Sequence, residues 1–166
     1  MFEYLPSRRV LNALGALACA GMMGFALYAQ HGLGLEPCPL CVFQRVAVIA
    51  LGVIFALAAM HNPGPLGRPI YAGLLLLAGC AGMGVAGRHV WLQNLPPDKV
   101  PACGPGLDFM LESFPMLEML ELVLSGSGEC ADIAWSLAGL TMPMWVFICC
   151  AGLTALGMLA NLAAPR

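Results

Sequence analysis

At 166 residues, 60% hydrophobic and only 10% charged, the chain has room for one domain and lies far outside the composition of soluble globular proteins. A formal net charge of −2, with no basic patch, excludes nucleic acid as a partner. The surrounding solvent is mostly lipid, so the chain is read first for segments able to cross about 30 Å of hydrocarbon.

Four segments qualify, at residues 10–29, 42–60, 69–87 and 144–162. Arg8 and Arg9 precede the first, which contains the small-residue run Ala18-Cys19-Ala20 of a signal-peptide cleavage site. The apolar run continues well past Ala20, which favours an uncleaved first span. A short loop, 30–41, ends in Pro37-Cys38-Pro39-Leu40-Cys41 and leads into the second span. That span takes in Arg45 near its start. A guanidinium at mid-bilayer costs about 2.5–3.5 kcal/mol, so Arg45 is expected at a boundary or beside a partner.

Residues 61–68, dense in proline and glycine, read as a tight turn into the third span. The long connection at 90–141 is the only segment large enough for structure of its own, and it holds Cys103 and Cys130. Within it, residues 107–124 combine Leu, Met and Phe at helical spacing with an acidic edge, interrupted by Pro115, as expected of a helix in the membrane interface. Gly126, Gly128 and the neighbouring serines read as a flexible hinge before Cys130. Trp91, Trp135 and Trp145 suit an aromatic belt, and His31 and His61 suit solvated loops. The fold expected is an all-α membrane protein: a four-helix transmembrane bundle, one domain over 1–166, with an interfacial helix in its long loop. Arg8, Arg9, Arg68 and Arg166 fall on one side and Arg45, Arg88 and Lys99 on the other, which places both termini in the cytoplasm and the 30–41 and 90–141 loops outside.

Of the eight cysteines, Cys19, Cys80, Cys149 and Cys150 lie within spans, where cysteine usually serves as a small packing residue. Cys38, Cys41, Cys103 and Cys130 all lie on the outer face, where disulfides persist. The Cys-x-x-Cys spacing lets two sulfurs meet, and a helix start beneath Cys41 favours its thiolate. Arg45, four residues on, falls on the same helical face one turn deeper, able to hold negative charge on sulfur or on an acceptor. Redox chemistry is the first reading. A closed zinc site made of these four cysteines and inert structural bridges are the alternatives, and each leaves Arg45 without a purpose.

The run Cys38-Pro39-Leu40-Cys41-Val42-Phe43-Gln44-Arg45 resembles the active-site motif of the DsbB family, quinone-coupled disulfide-generating proteins of the bacterial inner membrane. Further landmarks follow in order: His89-Val90-Trp91-Leu92-Gln93, Cys103 with Asp108-Phe109-Met110, Gly128-Glu129-Cys130-Ala131, and Gly139-Leu140-Thr141-Met142-Pro143. The resemblance implies that Cys103 and Cys130 form an external disulfide that accepts electrons from a periplasmic DsbA-type protein, Cys103 entering the mixed disulfide. It implies next that Cys130 exchanges with Cys38, and that Cys38 and Cys41 are reoxidised by ubiquinone or menaquinone. In that scheme Arg45 stabilises charge beside the Cys41 thiolate, His89 and Gln93 hydrogen-bond the quinone, and no metal takes part. Gln44, where an acidic residue is also common, and the added Gly104-Pro105-Gly106 depart from the pattern. Vitamin-K-epoxide-reductase-like enzymes, which also pair Cys-x-x-Cys with loop cysteines, and a non-catalytic scaffold are the rival classes.

Overall fold

A computed structural model describes residues 6–101 and 115–164. Its framework is α1 (Arg8–His31), α2 (Pro39–His61), α3 (Gly67–Gln93) and α5 (Met142–Met158), each long and apolar enough to cross a membrane once the π-helical turn Leu159–Ala163 is joined to α5. Among the described residues between α3 and α5 are the shorter α4 (Met116–Ser125), the 3₁₀ turns Pro97–Lys99 and Gly128–Cys130, and an antiparallel hairpin, β1 (Ser136–Leu137) with β2 (Leu140–Thr141). The chain is thus a four-helix membrane bundle with a structured loop at one end.

Local chemistry sets the helix ends. Cys38 is the N-cap of α2, with Pro39 in the first turn where its missing N–H is no loss, so the helix starts three residues before the apolar span does. It stops at Asn62 in the left-handed conformation (φ 41°), whose N–H returns to the Ala58 carbonyl, and Pro63 follows. α3 runs to Gln93, well past the apolar segment ending at 87, so Arg88, His89 and Gln93 ride on a rigid helical extension. α4 begins immediately after Pro115, which serves as its N-cap. His31 and His61 are exposed as expected, but each is the last residue of a helix and not part of a loop, and His61 Nδ1 pairs with the Tyr71 hydroxyl.

The helices approach through small residues, as membrane bundles do when no hydrophobic force separates protein from lipid. α1 packs chiefly on α2, and α3 on α5 and α2. Phe55, Leu51 and Leu75 fill the centre with no exposed surface, joined by Cys19 and Cys150. A Cβ added at Gly79 of α3 would collide with Thr154 Oγ1 of α5, which itself donates to the Cys150 carbonyl at 2.7 Å. Gly79→Val is therefore expected to destabilise the bundle by about 1–3 kcal/mol, the usual cost of overpacking. Thermal unfolding in detergent checks this against Gly73→Val, whose added side chain meets open space; equal melting temperatures would refute it.

At the end opposite Cys38, buried polar side chains bind the helices together. Asn12 and Asn161, both fully buried, exchange amide hydrogen bonds of 3.4 and 3.1 Å. Arg68 donates to the carbonyls of Asn161 and Leu162, and Arg8 to those of Pro63 and Ala164. This fastening leaves the other end of the bundle to carry chemistry.

Candidate functional site

Cys38, held at the N-cap of α2, accepts the Cys41 backbone N–H at 3.4 Å, so the first turn of the helix is closed by a sulfur. Helical geometry then brings the Cys41 sulfur back to within 3.0 Å of the Cys38 sulfur. His89 of α3, only 3% exposed, faces both: its Nε2 is 3.9 Å from Cys38 Sγ and its Nδ1 is 4.0 Å from Cys41 Sγ. The Gln44 amide nitrogen lies 2.9 Å from the same Nδ1, which fixes the ring edge against the cysteine pair.

Arg45 lies one turn deeper than Cys41, and α1 holds it there. Its Nη1 donates to Gln30 Oε1 at 2.5 Å and its Nη2 to the Ala26 carbonyl at 3.2 Å. The sequence could not single out Gln30, because only the packing of α1 on α2 shows that the first polar side chain after the apolar run meets the guanidinium. Gln93 also has a partner, accepting from the Thr141 hydroxyl at 2.8 Å just before α5 begins.

Cys130 comes from the far side of the loop, yet it lands beside Cys38. It is fully buried among Leu40, Leu92 and Val123, and Cys38 packs against the same cluster. A hydrogen bond with Cys38 and then burial push the Cys130 thiol well above its ordinary range, only partly opposed by the backbone N–H groups of Ser127 and Leu40. Cys38 is thus a neighbour of both other cysteines: its sulfur is 3.0 Å from that of Cys41, and it packs against the cluster that buries Cys130. The segment before Cys130 is packed where the sequence suggested a loose hinge: Gly126, at φ 86°, presses against Leu92 so closely that a Cβ there would collide with it. The described cysteines are unbridged, and Cys103 lies outside the described residues, as do Asp108 to Met110 and Gly104 to Gly106.

Below the cysteines a cavity of about 130 Å³ opens between α1, α2, α3 and α5. Met22, Val48 and Val146 give it apolar walls, while Gln44, Arg45, His89 and Gln93 supply polar groups beside Cys41. Trp135 is part of its lining, held edge-on to Phe25 with ring centroids 5.4 Å apart, so this tryptophan does more than mark a belt. Its loop is set by the hairpin, whose two-residue turn puts Ala138 and Gly139 at positive φ and whose Leu137 carbonyl accepts from Trp145. Cys38, Cys41 and His89 offer donor atoms within 4.8 Å of one another and so could hold a thiophilic cation, but Cys130 is not part of that set.

A protein-family model described as "Disulfide bond formation protein DsbB" matches residues 8–160. Among curated proteins, the chain is 56% identical over 139 residues to Disulfide bond formation protein B of Chromobacterium violaceum, covering 84% of each chain. It is 54% identical over 156 residues to the protein of the same name from Chromohalobacter salexigens, covering 92% of this chain and 91% of that one. The Hahella chejuensis counterpart is 46% identical over 160 residues, covering 96% of this chain and 97% of its own.

Proposed function

Because the chain belongs to the DsbB family of disulfide bond formation proteins, we propose that this membrane oxidoreductase reoxidises a periplasmic DsbA-type dithiol protein and delivers the electrons to a membrane quinone. The observation that supports the reading is Cys38, whose sulfur is 3.0 Å from that of Cys41 and which packs against the cluster that buries Cys130. Such a sulfur can receive a thiol–disulfide exchange from one neighbour and pass it to the other.

Two net thiol–disulfide exchanges and one oxidation complete the cycle. Reduced DsbA attacks the Cys103–Cys130 disulfide at Cys103 and leaves as a disulfide, so that Cys103 and Cys130 become thiols. The Cys130 thiolate attacks Cys38 of the Cys38–Cys41 disulfide, Cys41 departs as the thiolate, and Cys103 resolves the Cys38–Cys130 bond. The Cys103–Cys130 disulfide is thereby restored and the Cys38–Cys41 pair reduced. The cavity lining of Gln44, Arg45, His89 and Gln93 would hold a quinone beside Cys41, and that quinone would supply the acceptor for the two electrons and two protons of the dithiol. The lining suits such a molecule, with apolar walls for a ring and donors at its polar edge. In this reading Arg45, its fork fixed by Gln30 and the Ala26 carbonyl, holds negative charge beside Cys41, and His89 and Gln93 on the cavity wall would hydrogen-bond a quinone oxygen.

The protein sits in the bacterial inner membrane with the cysteine end in the periplasm and both termini in the cytoplasm. Membranes containing the protein should reoxidise reduced DsbA when ubiquinone or menaquinone is added; absence of that activity sinks the reading. Arg45→Ala should raise the apparent quinone KM roughly tenfold or more, since a hydrogen bond to a charged group contributes about 1.5–3 kcal/mol. The rate of the DsbA step should stay unchanged, and an equal loss in both steps would remove Arg45 from the acceptor site.

A further inference from the structure

We propose that Arg88 is the positioning residue that latches the Cys130 segment onto α3 and so sets the encounter between Cys130 and Cys38. Arg88 is absent from the cavity lining, and the sequence marks it only as one of the few outer cations. Its Nε donates to the Leu124 carbonyl at 3.1 Å and its Nη2 to the Ser125 carbonyl at 2.9 Å, the last two of α4. Carbonyls at a helix C-terminus have no partner in the helix and carry the negative end of its dipole. A guanidinium fork meets both at once, which a lysine cannot do. The same guanidinium lies 4.1 Å over the Trp91 ring, one turn along α3, so its own direction is fixed.

The latch acts on the reacting sulfur through a short, tightly packed path. Val123, one residue before the clasped carbonyls, is buried with Leu40, Leu92 and Cys130. Gly126 then passes against Leu92 where no side chain fits, and the turn Gly128–Cys130 follows directly. Adjacent residues of α3 thus hold the two halves of the exchange. His89 faces Cys38 and Cys41, while Arg88 grips the segment that ends in Cys130. Without the grip, Cys130 samples more positions and meets Cys38 less often, a loss of effective concentration with no change in either thiol's chemistry.

The inference rests on the exchange step proposed above, and its first test needs neither DsbA nor quinone. In full-length protein carrying Cys41→Ser and Cys103→Ser, oxidised glutathione converts the Cys38 and Cys130 thiols to one disulfide and releases two reduced glutathiones. The equilibrium constant for that bond measures their effective concentration. Adding Arg88→Ala should lower it roughly tenfold, and Arg88→Lys should recover only part. Trp91→Leu, which keeps the carbonyl bonds and removes the platform, should give a smaller fall and keeps the test readable if Arg88→Ala does not fold. An unchanged constant in Arg88→Ala, or a full recovery with lysine, overturns the latch. In the otherwise unsubstituted protein, Arg88→Ala should slow the Cys130–Cys38 exchange by a similar factor and leave the quinone step alone; equal slowing of both also overturns it. A fallen glutathione constant together with no DsbA turnover in the parent protein would retire the proposed function and leave the latch standing.

Discussion

Cys41→Ser is expected to lower quinone-dependent turnover by more than about a thousandfold, in the range seen when a residue of a cooperating catalytic set is removed. A serine at the third position of α2 preserves the helix start, since it is Cys38 that accepts the capping N–H. What disappears is the second sulfur, 3.0 Å from the first, without which Cys38 has nothing to form a disulfide with on the cavity side. The partner side stays intact, because Cys130 keeps its place in the cluster with Leu40 and Leu92. Reduced DsbA should therefore still consume the Cys103–Cys130 disulfide once, in a single burst of one equivalent, and then stop. Measuring burst and steady state together decides the matter: steady turnover within about tenfold of the parent would mean that Cys41 is not the sulfur facing the acceptor. Loss of the burst as well would mean that the substitution damaged the loop site.

Much of this was legible in the chain itself, and the parts that were not share a physical cause. Spans could be read because lipid demands long apolar runs, and the resulting four-helix bundle follows from composition with little help from context. Cys41 and Arg45 could be placed on one face because spacing within a single helix fixes direction. Contacts between elements were out of reach of spacing, and only the resemblance brought Cys130 to Cys38. Gln30 reaches Arg45 across the α1–α2 interface, His89 reaches both sulfurs across α2–α3, and Arg88 reaches the end of α4 across the loop. The glycines before Cys130 show the same limit from the other side. Local preference makes Gly126 a hinge, whereas tertiary packing against Leu92 makes it the residue that permits close approach. The hairpin at Ser136–Thr141 had a signal in Gly139, but its strands are only two residues each, too short for alternation to register.

Cys130→Ser is expected to abolish DsbA oxidation, again by more than about a thousandfold, while oxidation of the Cys38–Cys41 dithiol by quinone proceeds within a few-fold of normal when a small-molecule dithiol supplies the electrons. The split follows from position: Cys130 lies in the cluster against which Cys38 packs and lines no part of the cavity. Its thiol adds a second, finer test. With Cys38 reduced, a hydrogen bond with it and then burial raise the Cys130 pKa; once Cys38 is bonded to Cys41 the burial remains, so below that raised value the protonated form dominates and the reactive thiolate is the minor species. Thiolate fraction then climbs about tenfold per pH unit, and the exchange step should climb with it through the neutral and mildly alkaline range. An ordinary cysteine would level off near pH 8.5, as about half of it becomes thiolate. Stopped-flow measurement of the Cys130–Cys38 exchange between pH 6 and 9, started from protein already reduced at Cys103 and Cys130, should give a line and no plateau. A plateau near pH 8.5 would mean that Cys130 reacts from water and not from its buried place among Leu40, Leu92 and Val123, and would overturn the prediction.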